Sequence, residues 1–206
     1  AMLVVSAQTP GDDVLVGFTT SDTIEGGTGD DVLTGGDGND TYTYTRGDGV
    51  DVIDESNTFG GTLDRLRIHE IDPSAVVVVR SNNDAWLEIA ESVPGAGDGG
   101  RIVVRETLNS SFERGVESIE FDDGTIWSPA SLRAALMASA QTSGNDAITG
   151  FTTADVFEPG AGDDIATGSD GNDVYIWRRG DGEDVIDDTN TFGGTADRLE
   201  IHGVDA

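Results

Sequence analysis

The sequence predicts an all-β chain, in which two blocks of short stacked strands wound as a solenoid flank a short β-rich segment and one helix. Two observations carry this prediction. One is a long internal repeat, and the other is a nine-residue period inside it, whose last three residues alternate between apolar and polar side chains. Because one such period cannot bury its apolar residue alone, several periods must stack on each other.

The long repeat relates the two ends of the chain. Residues 11–72 align with residues 144–205 without a gap, with 39 identities in 62 positions, and NTFGGT recurs whole at 57–62 and 190–195. We therefore expect four segments, which are listed in chain order: a first solenoid block at 8–72, a capping segment at 73–127, a linker helix at 128–140 and a second block at 141–206. A chain that stops inside a repeat is expected to be part of a longer tandem protein. A natural half-unit terminus is the alternative.

The charge follows the same division. Forty acidic residues face 11 basic ones, all of them Arg, for a net charge of -29, and the two repeated blocks each hold 15 acids against 3 Arg. Such a chain has no basic surface for nucleic-acid phosphates or for an anionic membrane. The absence of Cys excludes disulfides and thiolate metal sites. No apolar run approaches the roughly 18 residues of a membrane span, which excludes membrane insertion.

The nine-residue period is clearest at residues 26–34, GGTGDDVLT, and 35–43, GGDGNDTYT, which both fit GGxGxDxUx with U a large apolar residue. Imperfect copies precede them, and RGDGVDVID at 46–54 follows after a slip of two residues. Clustered Gly permits tight turns, and the last three residues suit a very short strand. The eighth residues are predicted to point inward: Leu15, Ile24, Leu33, Tyr42 and Ile53.

The Asp at the sixth position explains the acidic charge. Stacked turns bring like carboxylates within a few ångströms of each other, which is repulsive unless a cation lies between them. Carboxylate and turn carbonyl oxygens are hard ligands, and six or more of them on a flexible backbone favour Ca²⁺ over Mg²⁺ or Zn²⁺. A disordered linker rich in Gly and Asp is the alternative, but disorder needs no regular apolar period.

These segments resemble the RTX, or haemolysin-type calcium-binding, repeats of secreted bacterial proteins. In that family the turns form a parallel β-roll, a right-handed β-solenoid, and each Ca²⁺ lies between one turn and the next turn on the same side of the roll. The ligands there are turn carbonyl groups and the sixth-position Asp of both turns. The resemblance therefore implies several bound Ca²⁺ ions and a secreted, extracellular or cell-surface location.

The resemblance implies four ligand sets in the first block, each drawn from two stacked turns. The first set is Thr9, Gly11, Asp13, Gly26, Thr28 and Asp31. The second set is Phe18, Thr20, Asp22, Gly35, Asp37 and Asp40. The third set requires a bulge to absorb the slip, and it is Gly27, Gly29, Asp31, Arg46, Asp48 and Asp51. The fourth set joins Gly36, Gly38 and Asp40 to the shortened turn at Asp64.

The resemblance implies equivalent ligands at the matching positions of the second block, where Pro159, Ala166 and Ser169 replace the expected Gly, apolar residue and Gly. These ligands are Thr142, Gly144, Asp146, Phe151, Thr153, Asp155, Pro159, Gly160, Ala161, Gly162, Asp164, Gly168, Ser169, Asp170, Gly171, Asp173, Arg179, Asp181, Asp184 and Asp197.

The middle segment predicts strands at 75–80, 85–90 and 101–105, and a hairpin of 118–121 with 125–127. Its IEFDDGTIW sequence resembles the domain that often follows RTX repeats, and we expect it to continue or cap the roll. Ser128 is predicted to cap a helix that starts at Pro129 and runs to about residue 138. Its Leu132, Leu136 and Met137 are expected to pack inward.

No such cap follows the second block, so we expect its end to fray or to pair with a neighbouring repeat unit or a second molecule. A strictly monomeric, fully ordered C-terminus in solution would count against this expectation.

Enzymatic motifs are absent from the sequence. His69 and Glu70 begin an HExxH pattern, but Pro73 stands where the second His is required. Trp86, Trp127 and Trp177 suit packing better than sugar stacking. We therefore expect a non-enzymatic, calcium-binding structural module of a large secreted tandem-repeat protein, of the adhesin or surface-layer type. The alternatives are an accessory region of a secreted RTX enzyme and a carbohydrate-binding adhesin module.

Overall fold

A computed structural model describes residues 3–6, 9–55, 63–109, 115–188 and 196–204. Both copies of the NTFGGT sequence lie outside these ranges. The chain divides into two compact units, residues 1–132 and 133–206. Over the described residues the fold is mostly β, with largely parallel sheets and one α-helix, in agreement with the predicted fold class.

The first unit begins with seven short strands that alternate between two parallel sheets. The strands are β1 (Leu3–Ser6), β2 (Val14–Val16), β3 (Asp22–Glu25), β4 (Val32–Thr34), β5 (Thr41–Thr45), β6 (Val50–Ile53) and β7 (Arg65–His69). The odd-numbered strands form one sheet and the even-numbered strands the other, so each turn of the chain crosses from sheet to sheet. Strand β1 pairs with β3, which extends the strand pairing to the N-terminal side of the predicted block.

The register follows the predicted period. Val14 pairs with Val32 and Thr23 with Thr41, so these partners are separated by two nonapeptide periods. The slip before the last regular nonapeptide lengthens the next spacing by two positions, since Val32 pairs with Val52. Side chains of a strand alternate between its two faces, so a shift of two residues keeps the apolar side chains on the inner face.

The core of this unit contains the predicted eighth-position side chains. Ile24, Leu33, Tyr42 and Ile53 are all buried, as expected, whereas Leu15 is only half-buried. Leu15 lies on β2, the edge strand of its sheet, where no further described strand covers it.

The middle segment contributes five more strands, all within one residue of the predicted bounds. They are β8 (Val76–Ser81), β9 (Asp84–Ile89), β10 (Gly100–Val104), β11 (Ser118–Phe121) and β12 (Ile126–Trp127), and a 3₁₀ turn at Pro73–Ala75 precedes them. Strand β10 pairs in parallel with β6, and β11 pairs in parallel with β7. The segment therefore continues both sheets of the roll, and Leu66 and Ile68 of β7 are fully buried.

Helix α1 spans Pro129–Ala140, two residues longer than predicted. The Ser131 backbone N–H donates to Oγ of Ser128 at 3.2 Å, which confirms the predicted cap. Leu132 and Met137 are buried, while Leu136 is half-buried. Among the described residues, no helix has the length and apolar character needed to cross a bilayer.

The second unit repeats the first roll on a smaller scale. Its strands are β13 (Ala147–Thr149), β14 (Val156–Phe157), β15 (Ile165–Thr167), β16 (Val174–Arg178), β17 (Val185–Asp187) and β18 (Arg198–His202), in two parallel sheets of three. Its paired strands keep the register of their counterparts in the first unit, including the longer spacing across the slip. Phe157 and Tyr175 are buried and stack with ring centroids 4.8 Å apart.

Candidate metal centre

The sixth-position aspartates form a hydrogen-bonded ladder along the first roll. The backbone N–H of Asp13 donates to Oδ1 of Asp31 at 2.8 Å, and that of Asp22 donates to Oδ1 of Asp40 at 2.7 Å. The N–H of Asp31 donates to Oδ1 of Asp51 at 3.2 Å across the slip. Each of these carboxylates therefore lies against the matching residue two turns earlier, which brings together the aspartate pairs of the first three implied sets.

The turn carbonyl groups of the implied ligand sets lie close to the next turn on the same side. A methyl group added to Gly29 would lie 2.6 Å from the carbonyl oxygen of Gly11, and one added to Gly38 would lie 2.6 Å from that of Thr20. Both glycines have positive φ values, of 138° and 143°. A side chain at either position would be strained and would push the stacked turns apart.

The second oxygens of several ladder carboxylates have no hydrogen-bond partner. Oδ2 of Asp31 and Asp40 in the first unit, and of Asp164 and Asp173 in the second, are buried and unpartnered. Each parent side chain is at most 1% exposed. A buried carboxylate oxygen without a donor is unfavourable by roughly 1–3 kcal/mol. These oxygens are therefore positioned and available to bind a cation.

The third implied set has a different turn from the first two. Asp51 joins the ladder, but the carbonyl oxygen of Asp48 accepts a hydrogen bond from the Gly29 backbone N–H at 2.7 Å. Oδ2 of Asp48 accepts from the Thr45 backbone N–H at 2.6 Å within its own turn. The two extra residues, Tyr44 and Thr45, lengthen β5, and the aspartate at position 51 still reaches the ladder.

The fourth implied set contains an acidic side chain that the sequence analysis missed. The Asp40 backbone N–H donates to Oδ1 of Asp64 at 2.6 Å, which brings this pair together as expected. Glu55 joins them, and one oxygen from each of the three buried carboxylates lies within 4.8 Å of the others. Glu55 directly follows the last regular nonapeptide, and an acid recurs at the matching position as Asp188. That recurrence is the sequence pattern that could have identified both residues.

A second, exposed ladder also escaped the sequence analysis. The Asp30 backbone N–H donates to Oδ1 of Asp12 at 2.9 Å, and the Val50 N–H donates to Oδ1 of Asp30 at 3.0 Å. These aspartates occupy the fifth positions of the repeat, beside the buried ones. These exposed aspartates add negative charge beside the buried ladder, and their own carboxylates remain solvated.

Burial of the ladder raises carboxylate pKa values towards neutral pH. Desolvation is the largest cause of the raised pKa throughout; backbone N–H donors oppose it, and neighbouring carboxylates raise the pKa further. The pKa of Asp40 is raised to about 6, that of Asp51 to about 7 and that of Glu55 to about 8. In the second unit the pKa of Asp173 is raised to about 6. Without a cation, these groups therefore keep their protons to a higher pH in the folded state than in the unfolded chain.

The second unit assembles the same ladder with more exposed ends. Asp146 pairs with Asp164 at 2.8 Å and Asp155 with Asp173 at 2.8 Å, again from backbone N–H to Oδ1. The remaining pairs join Asp164 to Asp184 at 3.1 Å and Asp173 to Asp197 at 2.9 Å. Asp184 is half-buried and Asp197 is exposed.

The substituted glycine positions of the second unit keep the turn geometry. Ser169, which replaces a Gly, retains a positive φ of 72°. Because non-glycine residues adopt this conformation at an energetic cost, the turn is maintained against local strain.

The histidine and tryptophan candidates have ordinary partners. Nδ1 of His69 lies 2.7 Å from Oδ1 of Asp122. The Arg101 guanidinium lies 4.7 Å from the ring centroid of Trp86, and Trp127 packs edge-on against Phe121. These contacts account for the three side chains by packing and pairing.

Parts of the chain match known protein families. The model of the RTX calcium-binding nonapeptide repeat matches in four copies, at residues 9–42, 16–51, 142–166 and 149–176. The model of the haemolysin-type calcium binding protein related domain matches residues 96–131. The first model covers most of both ladders, and the second covers the hairpin segment that continues the roll.

Comparisons with whole proteins are weaker. No curated protein matches the chain significantly. Among solved structures, the extracellular lipase LipA from Serratia marcescens is similar with 15% identity and a TM-score of 0.41. The alignment covers 98% of this chain and 35% of the lipase chain, so this chain spans about a third of that protein's length.

Replacement of Asp31 should weaken calcium binding more than replacement of its neighbour. Asp31 is buried in the ladder and belongs to two implied sets, whereas Asp30 is exposed. Since charged ligand interactions are worth about 1.5–3 kcal/mol, Asp31→Asn should raise the Ca²⁺ midpoint for folding by roughly tenfold or more. Asp30→Asn, the matched control, should change it by less than about threefold. Equal midpoints for the two variants, measured by circular dichroism, would contradict the assignment.

Without calcium, the fold should become less stable as pH rises. The unfolded carboxylates titrate near pH 4, but the folded pKa values of Asp40, Asp51 and Glu55 are raised to about 6, 7 and 8. The folded state therefore binds more protons in this window, and its free energy of unfolding falls between about pH 4 and 8. Far-UV circular dichroism in chelator measures this change, since the folded fraction should be highest near pH 4 and fall as the pH rises to 8. A folded fraction that stays constant or rises with pH would refute the prediction, and saturating Ca²⁺ should keep the chain folded across this range.

Proposed function

From the RTX calcium-binding repeats and the haemolysin-type calcium binding protein related domain that this chain carries, we propose that it is a structural module that folds on binding Ca²⁺. We place the module in a large secreted tandem-repeat protein of the adhesin or surface-layer type. The observation that carries the proposal is the ladder of buried aspartates with unpartnered oxygens.

The electrostatics of the ladder support calcium-dependent folding. Asp22, Asp31 and Asp40 are each at most 2% exposed and are linked to like carboxylates two turns away. Bringing such charges together without counter-charge opposes folding, and a cation between the turns reverses the sign of the interaction. Because the sites require stacked turns, Ca²⁺ binds the folded state in preference to the unfolded chain and stabilises it by mass action.

This coupling suits an exported protein. In a cytosol poor in Ca²⁺ the acidic chain would remain unfolded, and extracellular sites typically bind Ca²⁺ with dissociation constants of about 10⁻⁴–10⁻³ M. Export into millimolar Ca²⁺ would then drive folding outside the cell. We propose a secreted or cell-surface location on this basis.

We propose that the module has no catalytic activity of its own. The buried acids are held as a regular ladder by backbone N–H donors, which is an arrangement for binding ions. The ladder places each carboxylate beside a like one, and the carboxylates of Asp40, Glu55 and Asp64 each offer an oxygen within 4.8 Å of the others.

The outer strands of the second unit support a role in association. Leu199 and Ile201 of β18 are 51% and 55% exposed, whereas their counterparts Leu66 and Ile68 on β7, which pairs with β11, are fully buried. Among the described residues, β18 pairs only with β16. An open parallel edge with exposed apolar residues favours pairing with a further strand. We propose that a neighbouring repeat unit or a second copy of the chain supplies it.

Calcium should induce the β-structure of this chain. Circular dichroism during a Ca²⁺ titration should show β-structure developing cooperatively, and chelation should reverse it. Mg²⁺ at the same concentration should do little, because its small octahedral shell fits a flexible oxygen cage poorly. Equal β-structure in chelator and in Ca²⁺ would overturn the proposed function.

The exposed edge should drive self-association of this chain in saturating Ca²⁺. Sedimentation velocity should show a weight that rises with protein concentration. Ile201→Lys should abolish the rise because a charge on an edge strand prevents pairing. Val93→Lys, at an exposed loop position, is the control and should associate like the unsubstituted chain. A chain that is monomeric at every concentration would contradict self-association.

A further inference from the structure

Three carboxylates from different parts of the chain converge beside the last turn of the first roll. Asp40, Glu55 and Asp64 are 0%, 2% and 1% exposed, and one oxygen from each lies within 4.8 Å of the others. Two of them occupy the sixth position of a turn, but Glu55 does not. It stands two residues after the end of β6, outside the nonapeptide pattern.

Each of these side chains is anchored through one oxygen. Oδ1 of Asp40 accepts from the Asp22 backbone N–H at 2.7 Å, and Oδ1 of Asp64 accepts from the Asp40 N–H at 2.6 Å. Oε1 of Glu55 accepts from the Gly35 backbone N–H at 3.0 Å and from the Tyr42 hydroxyl. In the folded chain these anchors hold the three carboxylates with one oxygen of each within 4.8 Å of the others.

The remaining oxygens of two members have no hydrogen-bond donor. Oδ2 of Asp40 and Oε2 of Glu55 are buried and unpartnered. A buried, charged oxygen with no donor is strongly unfavourable, and two further carboxylates close by increase the cost. A hard cation would satisfy both oxygens and neutralise the repulsion. These two orphaned oxygens are the observation that separates this cluster from a solvated group of acids.

Gly35 provides the space for the two side chains. A methyl group at this position would collide with Oδ2 of Asp40 and with Oε1 of Glu55. The glutamate therefore reaches back over the first residue of an earlier turn. In a regular turn of the roll, backbone carbonyl groups would lie against the ladder at this place. Here the side chain of Glu55 takes their position.

We infer that Glu55 is a calcium ligand and that it forms, with Asp40 and Asp64, a site of three carboxylates at the cap side of the roll. This inference rests on the proposed calcium-dependent folding and adds to it a ligand that lies outside the repeat. With three charges rather than two, this site binds Ca²⁺ more tightly than the sites between regular turns.

The second unit carries the same arrangement. Asp173, Asp188 and Asp197 also offer oxygens within 4.8 Å of one another. Asp188 is the counterpart of Glu55 in the long repeat, so both copies keep an acid there. This site is half-buried at Asp188 and exposed at Asp197, and it therefore binds its ion more weakly.

The substitution Glu55→Gln separates a ligand from a structural contact. Glutamine has nearly the same shape, and its amide oxygen can still accept from Gly35 and Tyr42, but it removes the charge. Asp54→Asn is the matched control, since it removes one charge at the adjacent position. The Asp54 carboxylate pairs with Arg105 rather than with the cluster.

The measurement is the urea unfolding constant of the whole chain at several Ca²⁺ concentrations. The logarithmic slope of this constant against Ca²⁺ counts the ions bound on folding. Glu55→Gln should lower the slope by about one ion, and below saturation it should lose stability relative to the unsubstituted chain. Asp54→Asn should keep the original slope. Native mass spectrometry at saturating Ca²⁺ should show one ion fewer in Glu55→Gln alone.

An unchanged slope and ion count in Glu55→Gln would overturn the inference while leaving calcium-dependent folding intact. A chain that folds without Ca²⁺ would instead overturn both. Should Glu55→Gln fail to fold at any Ca²⁺ concentration, Asp188→Asn provides the same test in the second unit. Loss of one ion there supports the three-carboxylate site, and retention of every ion refutes it.

Discussion

The fold depends on one interaction, the contact between like carboxylates on stacked turns of the same side of the roll. Each aspartate accepts a hydrogen bond from the backbone of its counterpart, which holds the negative charges together in a buried row. A solenoid with this row is poorly stable by itself, because desolvation and repulsion both oppose it. We propose that cations between the turns make the same row the main source of stability. In this proposal acidity, folding and ion binding are one property of the chain.

The remaining features of the roll make that contact possible. Glycines let the turns approach until carbonyl groups lie against the next turn, and short strands give each turn one buried apolar side chain. The burial of one side chain such as Ile24 or Leu33 stabilises a single turn only slightly, so the favourable free energy accumulates along the stack of turns. The β10 and β11 strands then continue both sheets and cover β6 and β7, where an open edge would otherwise remain.

Much of this architecture could be predicted from the sequence, because a nine-residue period specifies both strand and turn. The inward side chains, the aspartate pairs and the middle strands followed from local pattern and from the family resemblance. The nine-residue period does not indicate Glu55, because this residue lies outside it; the long repeat does, since an acid recurs at the matching position as Asp188. The half-buried state of Leu15 was missed for a different reason. The burial of a side chain on an edge strand depends on whether another part of the chain covers that edge, and a local sequence pattern does not predict this.

Amide hydrogen exchange tests the central claim most directly, since the backbone N–H groups of Asp22, Asp31 and Asp40 form the ladder itself. In Ca²⁺ these amides should be protected to the level of global unfolding. In chelator at neutral pH they should exchange at rates close to those of an unfolded chain. Protection that is the same in chelator and in Ca²⁺ would contradict the claim that cations hold the carboxylate ladder together.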